Sequence, residues 1–347
     1  LQVYAQLSKY RLSSLVVFTM SAGFLAAGGP VDPVSFSSAC VGTALAAGSA
    51  NTFNQAIERE NDGRMKRTQN RPLPAGRISA PHALAWGVGS GAASVAILAC
   101  GTNPLTAALG LSNIVLYAVP YTLSKTRSEI NTWVGSVVGA IPPVMGWAAA
   151  TGDVAAVEPL LLGGLLYLWQ FPHFFALSWM YRSDYARGGY KMVPCADPKG
   201  TRTASLILRY SAYLLPLPAL AAALDVTSWM FAVEGTAINA YLVSQAYRFH
   251  QDRSNASAKD VFKASLWYLP AMLALLVFHS QRWWDREAAE GREGEEAALP
   301  ELLRNLRERL KKVCIHEIAV NEDKSAFCPA VVAEDAATKA KQAASAA

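Results

Sequence analysis

Residues 82–123 read HALAWGVGSGAASVAILACGTNPLTAALGLSNIVLYAVPYTL. No Asp, Glu, Lys or Arg stands between Arg77 and Lys125, and one break, Gly101-Thr102-Asn103-Pro104, divides the stretch into two apolar runs. Each run is about the 20 residues that an α-helix needs to cross a bilayer. A chain in lipid must satisfy its own backbone polar groups, so both runs predict membrane helices. A β-barrel would instead show short alternating segments separated by turns.

The same pattern extends in both directions. Candidate spans lie near 12–29, 36–57, 82–100, 104–123, 132–150, 159–180, 203–224, 229–247 and 262–280. The fold class predicted is therefore all-α, a polytopic membrane bundle of about nine transmembrane helices. The composition agrees: 52% of the 347 residues are hydrophobic and 16% charged, against roughly 25% charged in soluble domains.

Charge placement supports this topology. With nine spans, the N-terminus and the loops near 58–81, 124–131, 181–202 and 248–261 share one side. Those loops, with Lys9, Arg11 and Lys263, hold 19 of the 31 Lys and Arg residues. The loops on the other side, near 30–35, 101–103, 151–158 and 225–228, hold none. Such asymmetry follows the positive-inside rule. The formal charge of +5 thus reflects topology, and no basic block with interleaved aromatics suggests nucleic acid. The five cysteines lack C-x-x-C spacing, which argues against a zinc site or a disulfide framework. The chain begins at Leu1 rather than Met, which leaves room for a start or targeting segment ahead of it.

Residues 1–284 form the expected transmembrane domain, and 285–347 a polar tail. Within the tail, 301–318 (ELLRNLRERLKKVCIHEI) has apolar residues at helical spacing among many charges, so an amphipathic helix is expected. Beyond about 330 the Ala-rich composition predicts disorder.

Polar residues in or beside spans are costly and therefore mark function. Here they gather at the same-side ends of the second, fourth and sixth spans. The densest run is NTFNQAIERENDGRMKRTQNRPLP, residues 51–74. Asn54, Glu58 and Asp62 recur every four residues and so line one face of a helix. Oxygen ligands of this kind suit Mg²⁺, which takes one or two carboxylates plus substrate phosphates. Arg67 and Arg71 follow before Pro72 and Pro74, as guanidinium clamps for a metal-bridged diphosphate. A second run, WQFPHFFALSWMYRSDYARGGYKMVP (169–194), places His173 in an aromatic stretch, followed by Arg182, Asp184, Arg187 and Lys191. Aromatic walls suit a greasy chain, an allylic cation, a porphyrin or plain helix packing. A third run, from Tyr121 to Pro143, offers Lys125 and Arg127 as phosphate contacts. Its Gly135, Gly139, Pro142 and Pro143 point to close helix packing and a kink.

In these three runs the chain resembles the UbiA superfamily of membrane prenyltransferases, and within it the mitochondrial branch that farnesylates haem. The resemblance covers about residues 5–280. It implies a bundle around a central cavity, with the diphosphate site at its matrix mouth. Asn54, Glu58 and Asp62 match the family's Asn-x-x-x-Asp-x-x-x-Asp motif, with Glu in the middle place. Asn51, Arg67, Arg71 and His173 fall on positions typical of the branch. The paired Asp-x-x-x-Asp motif is not intact, since Met180 stands four residues before Asp184. The resemblance further implies Mg²⁺ as cofactor, farnesyl diphosphate and haem b as substrates, and haem O as product. Metal would be held by Asn54, Glu58 and Asp62, and substrate by Asn51, Arg67, Asn70, Arg71, Lys125, Arg182, Arg187 and Lys191. His173 and Asp184 would take catalytic roles, His173 as iron ligand or proton carrier and Asp184 beside a second Mg²⁺. It implies, too, a mitochondrial inner-membrane location with site loops in the matrix, and haem A synthase or oxidase assembly factors as partners.

Two rivals stay open. A sister enzyme prenylating an aromatic acid for quinone synthesis would share the metal site, but the segments 173–179 and 184–192 argue against it. A transporter would place its polar cluster near the membrane midplane, whereas this cluster sits at one mouth.

Overall fold

The structure, a computed structural model, describes residues 2–282. The domain boundary at 284/285 and the tail helix expected at 301–318 lie outside the described residues. Among the described residues there is no strand, only an isolated bridge between Thr227 and Ser280.

Helices occupy every window read from the sequence. They are α1 (Tyr10–Ala26), α2 (Pro33–Ile57), α3 (Ala80–Gly101), α4 (Pro104–Leu116, continuing to Ser124), α5 (Asn131–Thr151), α6 (Val157–Met180), α7 (Thr201–Tyr213, resuming at Leu217–Ala223), α8 (Trp229–Asp252) and α9 (Asn255–Phe278). Short helices flank them at Gln2–Leu7, Arg59–Arg64 and Arg182–Arg187. Six of these, α3 to α7 and α9, are long and apolar enough to cross a membrane. The other three expected spans are helical but do not meet that measure. α1 is apolar but only 17 residues long, and α2 and α8 fall short in apolarity despite 25 and 24 residues. The shortfall in α2 has a plain cause. Its buried face carries Thr43, Ser49, Asn51, Thr52, Asn54 and Gln55, turned into the bundle rather than toward lipid.

Local sequence explains where helices begin. Asp32 accepts hydrogen bonds from the Val34 and Ser35 amides at 3.3 and 2.8 Å, with Pro33 in the first helical position of α2. Asn103 caps α4 in the same way through Thr106 N–H, ahead of Pro104. Both follow the preference for short polar caps and for proline where the first amides are free anyway.

Prolines explain where helices break. Pro120 cannot donate to the α4 ladder, and the helix widens there into a π-helical turn at Tyr117–Tyr121. Thr122 then returns its hydroxyl to the Tyr117 carbonyl at 2.7 Å. In α7 the helix stops at Tyr213 and resumes at Leu217 behind Pro216. Asn239 of α8 donates to the Leu214 carbonyl at 2.8 Å and accepts from Tyr268 of α9 at 2.6 Å, so the broken turn is satisfied from within the bundle.

Each helix packs on the next in sequence, and α9 reaches back to α1. α1 meets α5 most closely. A methyl group at Gly146 would stand 1.8 Å from the Met20 carbonyl oxygen, and one at Gly23 would stand 1.9 Å from that of Pro143. This backbone-to-backbone approach needs small residues. The glycines of α5 also serve packing: Gly135 abuts the Tyr121 ring and Gly139 the Gln170 amide.

Candidate active site

The second helix carries its pattern past its own end. Glu58 caps α2, yet its amide still donates to the Asn54 carbonyl and the Asp62 amide to that of Glu58, at 2.9 and 2.8 Å. The helical turn therefore continues across the cap, and Asn54, Glu58 and Asp62 share one buried face. They are 0, 5 and 2% exposed. Burying two carboxylates this deeply requires compensation, and the chain supplies it from three separate elements. Lys9, just before α1, donates to Asn54 Oδ1 at 2.8 Å. Lys125, just after α4, brings its Nζ within 2.9 Å of Glu58 Oε1, an ion pair whose angle leaves Oε1 without a directed hydrogen bond. Arg71 reaches Asp62 Oδ2 at 2.6 Å. The Asn54 amide also donates to Thr122 Oγ1, which ties the site to the π-helical turn of α4.

These groups enclose a cavity of about 60 Å³, lined also by Arg67, Met65, Tyr121, Phe174, Tyr185, Tyr190 and Met192. Arg67 donates to the Tyr185 hydroxyl at 3.0 Å and lies over the rings of Tyr181 and Tyr185. Electrostatics reflect the crowding of cations. Burial, with the charges of Arg71 and Lys125 beside it, pushes the Lys9 pKa well below that of an ordinary lysine. For Lys125 burial acts in the same direction, but Glu58, Tyr121 and Tyr117 outweigh it and hold its pKa well above the ordinary value.

The cavity thus gathers six of the expected residues: Asn54, Glu58, Asp62, Arg67, Arg71 and Lys125. The others stand elsewhere. Asn51, one turn earlier on α2, accepts from the Tyr117 hydroxyl and contacts Ser8 and Ser13. Asn70 is exposed and uses its carbonyl for Arg77. Lys191 is exposed, and its backbone joins the Lys125 carbonyl and the Asn131 amide. Arg182 turns away to the Trp179 carbonyl, Asn255 and the Trp179 ring. Asp184 accepts from the backbone amides of Lys66 and Arg67, at 2.9 and 3.3 Å, and pairs with Arg187 at 2.9 Å. It holds the arginine-bearing segment rather than lining the cavity. His173 is also outside the cavity, stacked between Trp169 and Phe262.

Lys9 is the site residue that sequence reasoning missed. It reads there as one of many positive-inside charges. The signal was its place: a lysine directly ahead of the first apolar helix, at the same mouth as the polar clusters. Tyr121, Tyr185 and Tyr190 were likewise hidden among aromatic residues that packing alone explains.

Chemically, the arrangement offers two carboxylates and an amide oxygen on one face, opposed by four cationic side chains. Among the described residues no group of three or more His, Cys, Asp or Glu side chains converges as a metal cage. Asn54, Glu58 and Asp62 could hold a divalent cation whose shell phosphate oxygens complete.

Comparison with known proteins shows the family. The UbiA prenyltransferase family model matches residues 15–269. A relative named "Protoheme IX farnesyltransferase, mitochondrial" from Homo sapiens is 49% identical over 283 residues, covering 80% of this chain and 63% of the relative. Its namesake from Arabidopsis thaliana is 46% identical over 279 residues, covering 80% and 64%. The chain therefore spans somewhat under two thirds of the length of these relatives. A solved UbiA homolog from Archaeoglobus fulgidus, bound to DMAPP and Mg²⁺, has the same fold with a TM-score of 0.57 at 17% identity, over 79% of this chain and 98% of its own. The family model spans most of the chain, and the chain belongs to the UbiA prenyltransferase family.

Proposed function

We propose that this protein transfers a farnesyl group from farnesyl diphosphate to a vinyl group of protohaem IX, giving haem O, in a mitochondrial membrane. The acceptor and location follow the names of the relatives at 46 and 49% identity. The observation that carries the donor chemistry is the buried face of Asn54, Glu58 and Asp62 opposed by Lys9, Arg67, Arg71 and Lys125.

Asn54, Glu58 and Asp62 would hold Mg²⁺, which supplies Lewis-acid stabilisation to the departing diphosphate. Arg67, Arg71, Lys125 and Lys9 neutralise the charge that develops as the C1–O bond of the donor breaks. Pyrophosphate leaves with the bonding pair, and C1 becomes an allylic cation. Tyr121, Phe174, Tyr185 and Tyr190 wall the cavity; their ring faces favour a cation and limit access of water. The terminal carbon of a haem vinyl group attacks C1, and water adds at the inner vinyl carbon with loss of a proton. A hydroxyethylfarnesyl substituent results. The cavity of about 60 Å³ is small beside the roughly 300–1,000 Å³ of ligand pockets, so donor entry separates the Lys125–Glu58 and Arg71–Asp62 pairs. The inner-membrane location, matrix-facing loops and oxidase-assembly partners implied by the resemblance belong to the same proposal.

The test is turnover by the purified full chain in detergent with haem b, farnesyl diphosphate and Mg²⁺, beside Asp62→Asn. The expected result is a haem heavier by the hydroxyethylfarnesyl group, lost in the variant while its melting profile holds. Prenylation of an aromatic acid without any haem product would overturn the acceptor and keep the donor site.

A further inference from the structure

His173 sits on α6 in a setting more constrained than packing requires. Its imidazole is stacked between Trp169, one turn earlier on α6, at 4.9 Å and 24°, and Phe262 of α9, at 4.8 Å and 29°. Stacked on aromatic rings of two helices, the imidazole acts through its edge atoms. On one edge Nδ1 lies 2.9 Å from Ser265 Oγ. Ser265 is fully buried and pinned at both ends. Its hydroxyl donates to the Phe262 carbonyl at 2.7 Å, and its own carbonyl accepts the Trp169 indole N–H at 2.8 Å.

A serine hydroxyl has one hydrogen and two lone pairs. The Phe262 carbonyl, at 2.7 Å, can only accept and so claims that hydrogen, which leaves the oxygen to accept from His173. Nδ1 therefore carries the ring proton, and Nε2 carries the lone pair. Among the described residues no protein atom hydrogen-bonds Nε2. This is how proteins prepare a histidine for metal: the distal N–H is held by an acceptor that fixes tautomer and orientation. The in-plane lone pair is left over.

We propose that Ser265 is a positioning residue that holds His173 in its Nδ1–H form, so that Nε2 ligates the iron of the haem acceptor. The inference rests on the haem-farnesylation reading given above. It assigns Trp169 and Phe262 the task of preventing ring rotation, and it places the acceptor's iron beside α6 and α9.

The experiment is a titration of the purified full chain in detergent with haem, read by the Soret band and by the iron–histidine stretch of the ferrous complex. The wild type is expected to show a histidine-ligated spectrum. His173→Ala should lose it, and added imidazole should restore it. Ser265→Ala should keep a ligand but shift the iron–histidine stretch and weaken haem binding by about 10-fold, the low end for loss of such a partner. Ser265→Thr should recover both. Unchanged haem spectra in His173→Ala overturn the proposal, including the case where turnover falls, which would make His173 a proton carrier instead. An unchanged stretch and affinity in Ser265→Ala overturns it too, as does a wild type that turns over haem without a histidine-ligated spectrum. A wild type that prenylates an aromatic acid and binds no haem defeats the parent reading, and this inference with it.

Discussion

Magnesium and diphosphate are expected to bind this site together, each weakly without the other. In the structure the cavity holds Lys9, Arg67, Arg71 and Lys125 against Glu58 and Asp62, and it stays net positive even with Lys9 neutral. A free Mg²⁺ ion thus meets a positive cavity whose carboxylates are already engaged, Glu58 by Lys125 at 2.9 Å and Asp62 by Arg71 at 2.6 Å. Diphosphate reverses this by giving the cations a partner and the metal further oxygen ligands. Two unit charges about 4 Å apart at an effective dielectric near 20 interact by about 4 kcal/mol. A coupling of that size changes Mg²⁺ affinity by roughly 10³-fold, and linkage requires the same factor for diphosphate. Calorimetric titration of the full chain in detergent, with and without a non-reacting thiolo-diphosphate analogue of the donor, measures both arms. Lys125→Met sharpens the test. It frees Glu58, so metal binding alone should tighten while the coupling shrinks. If Mg²⁺ binds equally well with and without the analogue, the ion pairs do not guard the site and the reasoning fails.

Other expectations follow from packing and from the missed lysine. Gly146→Ala places a methyl 1.8 Å from the Met20 carbonyl oxygen, whereas Gly164→Ala meets nothing within 4 Å. The first should lower thermal stability by about 1–3 kcal/mol and the second should leave the melting profile in place; equal effects would deny the close α1–α5 approach. Asn239→Leu strips partners from the Leu214 carbonyl and the Tyr268 hydroxyl, at about 1–3 kcal/mol for each buried group. Tyr268→Phe should cost less in the same thermal assay, because the Leu214 carbonyl keeps its donor. Lys9→Met removes one charge-assisted contact, typically about 1.5–3 kcal/mol. A fall in kcat/KM for farnesyl diphosphate of roughly 10- to 100-fold is expected, and unaltered kinetics would exclude Lys9 from the donor site.

Much of this was legible because membrane helices announce themselves by length and by the absence of charge. The run at 82–123 gives two helices within a few residues of their observed ends. Motif spacing carried the central site for a related reason. An i, i+4, i+8 pattern fixes a shared face as long as the helical turn continues, and the Glu58 and Asp62 amides keep it going past the end of α2. What the sequence hid was long-range. Nothing near Arg182 reveals that Asn255, 73 residues later, draws it away from the cavity. Nor does the segment around Asp184 reveal that the backbone of Lys66 and Arg67, more than a hundred residues earlier, occupies its carboxylate. Lys9 was concealed differently. Positive charge at this mouth is expected on topological grounds, so a single functional lysine raised no contrast.

Of the helices that fall short as spans, α2 is the one that carries the site, and the two facts have one cause. Polar side chains in lipid are costly, so α2 can hold Asn51, Asn54 and Gln55 only by turning them inward, where Tyr117, Thr122 and the carbonyls of Ser8, Gln6 and Leu7 hydrogen-bond their side-chain amides. Those partners lie on the N-terminal segment and on the π-helical turn made by Pro120. The proline that weakens α4 thereby shapes the wall against which the Asn54 amide is oriented. The same segments deliver Lys9 and Lys125 to the cavity. Low apolarity in α2 and irregularity in α4 are thus two sides of one arrangement: a polar face that the bundle tolerates because a broken neighbour returns hydrogen bonds and charge to it.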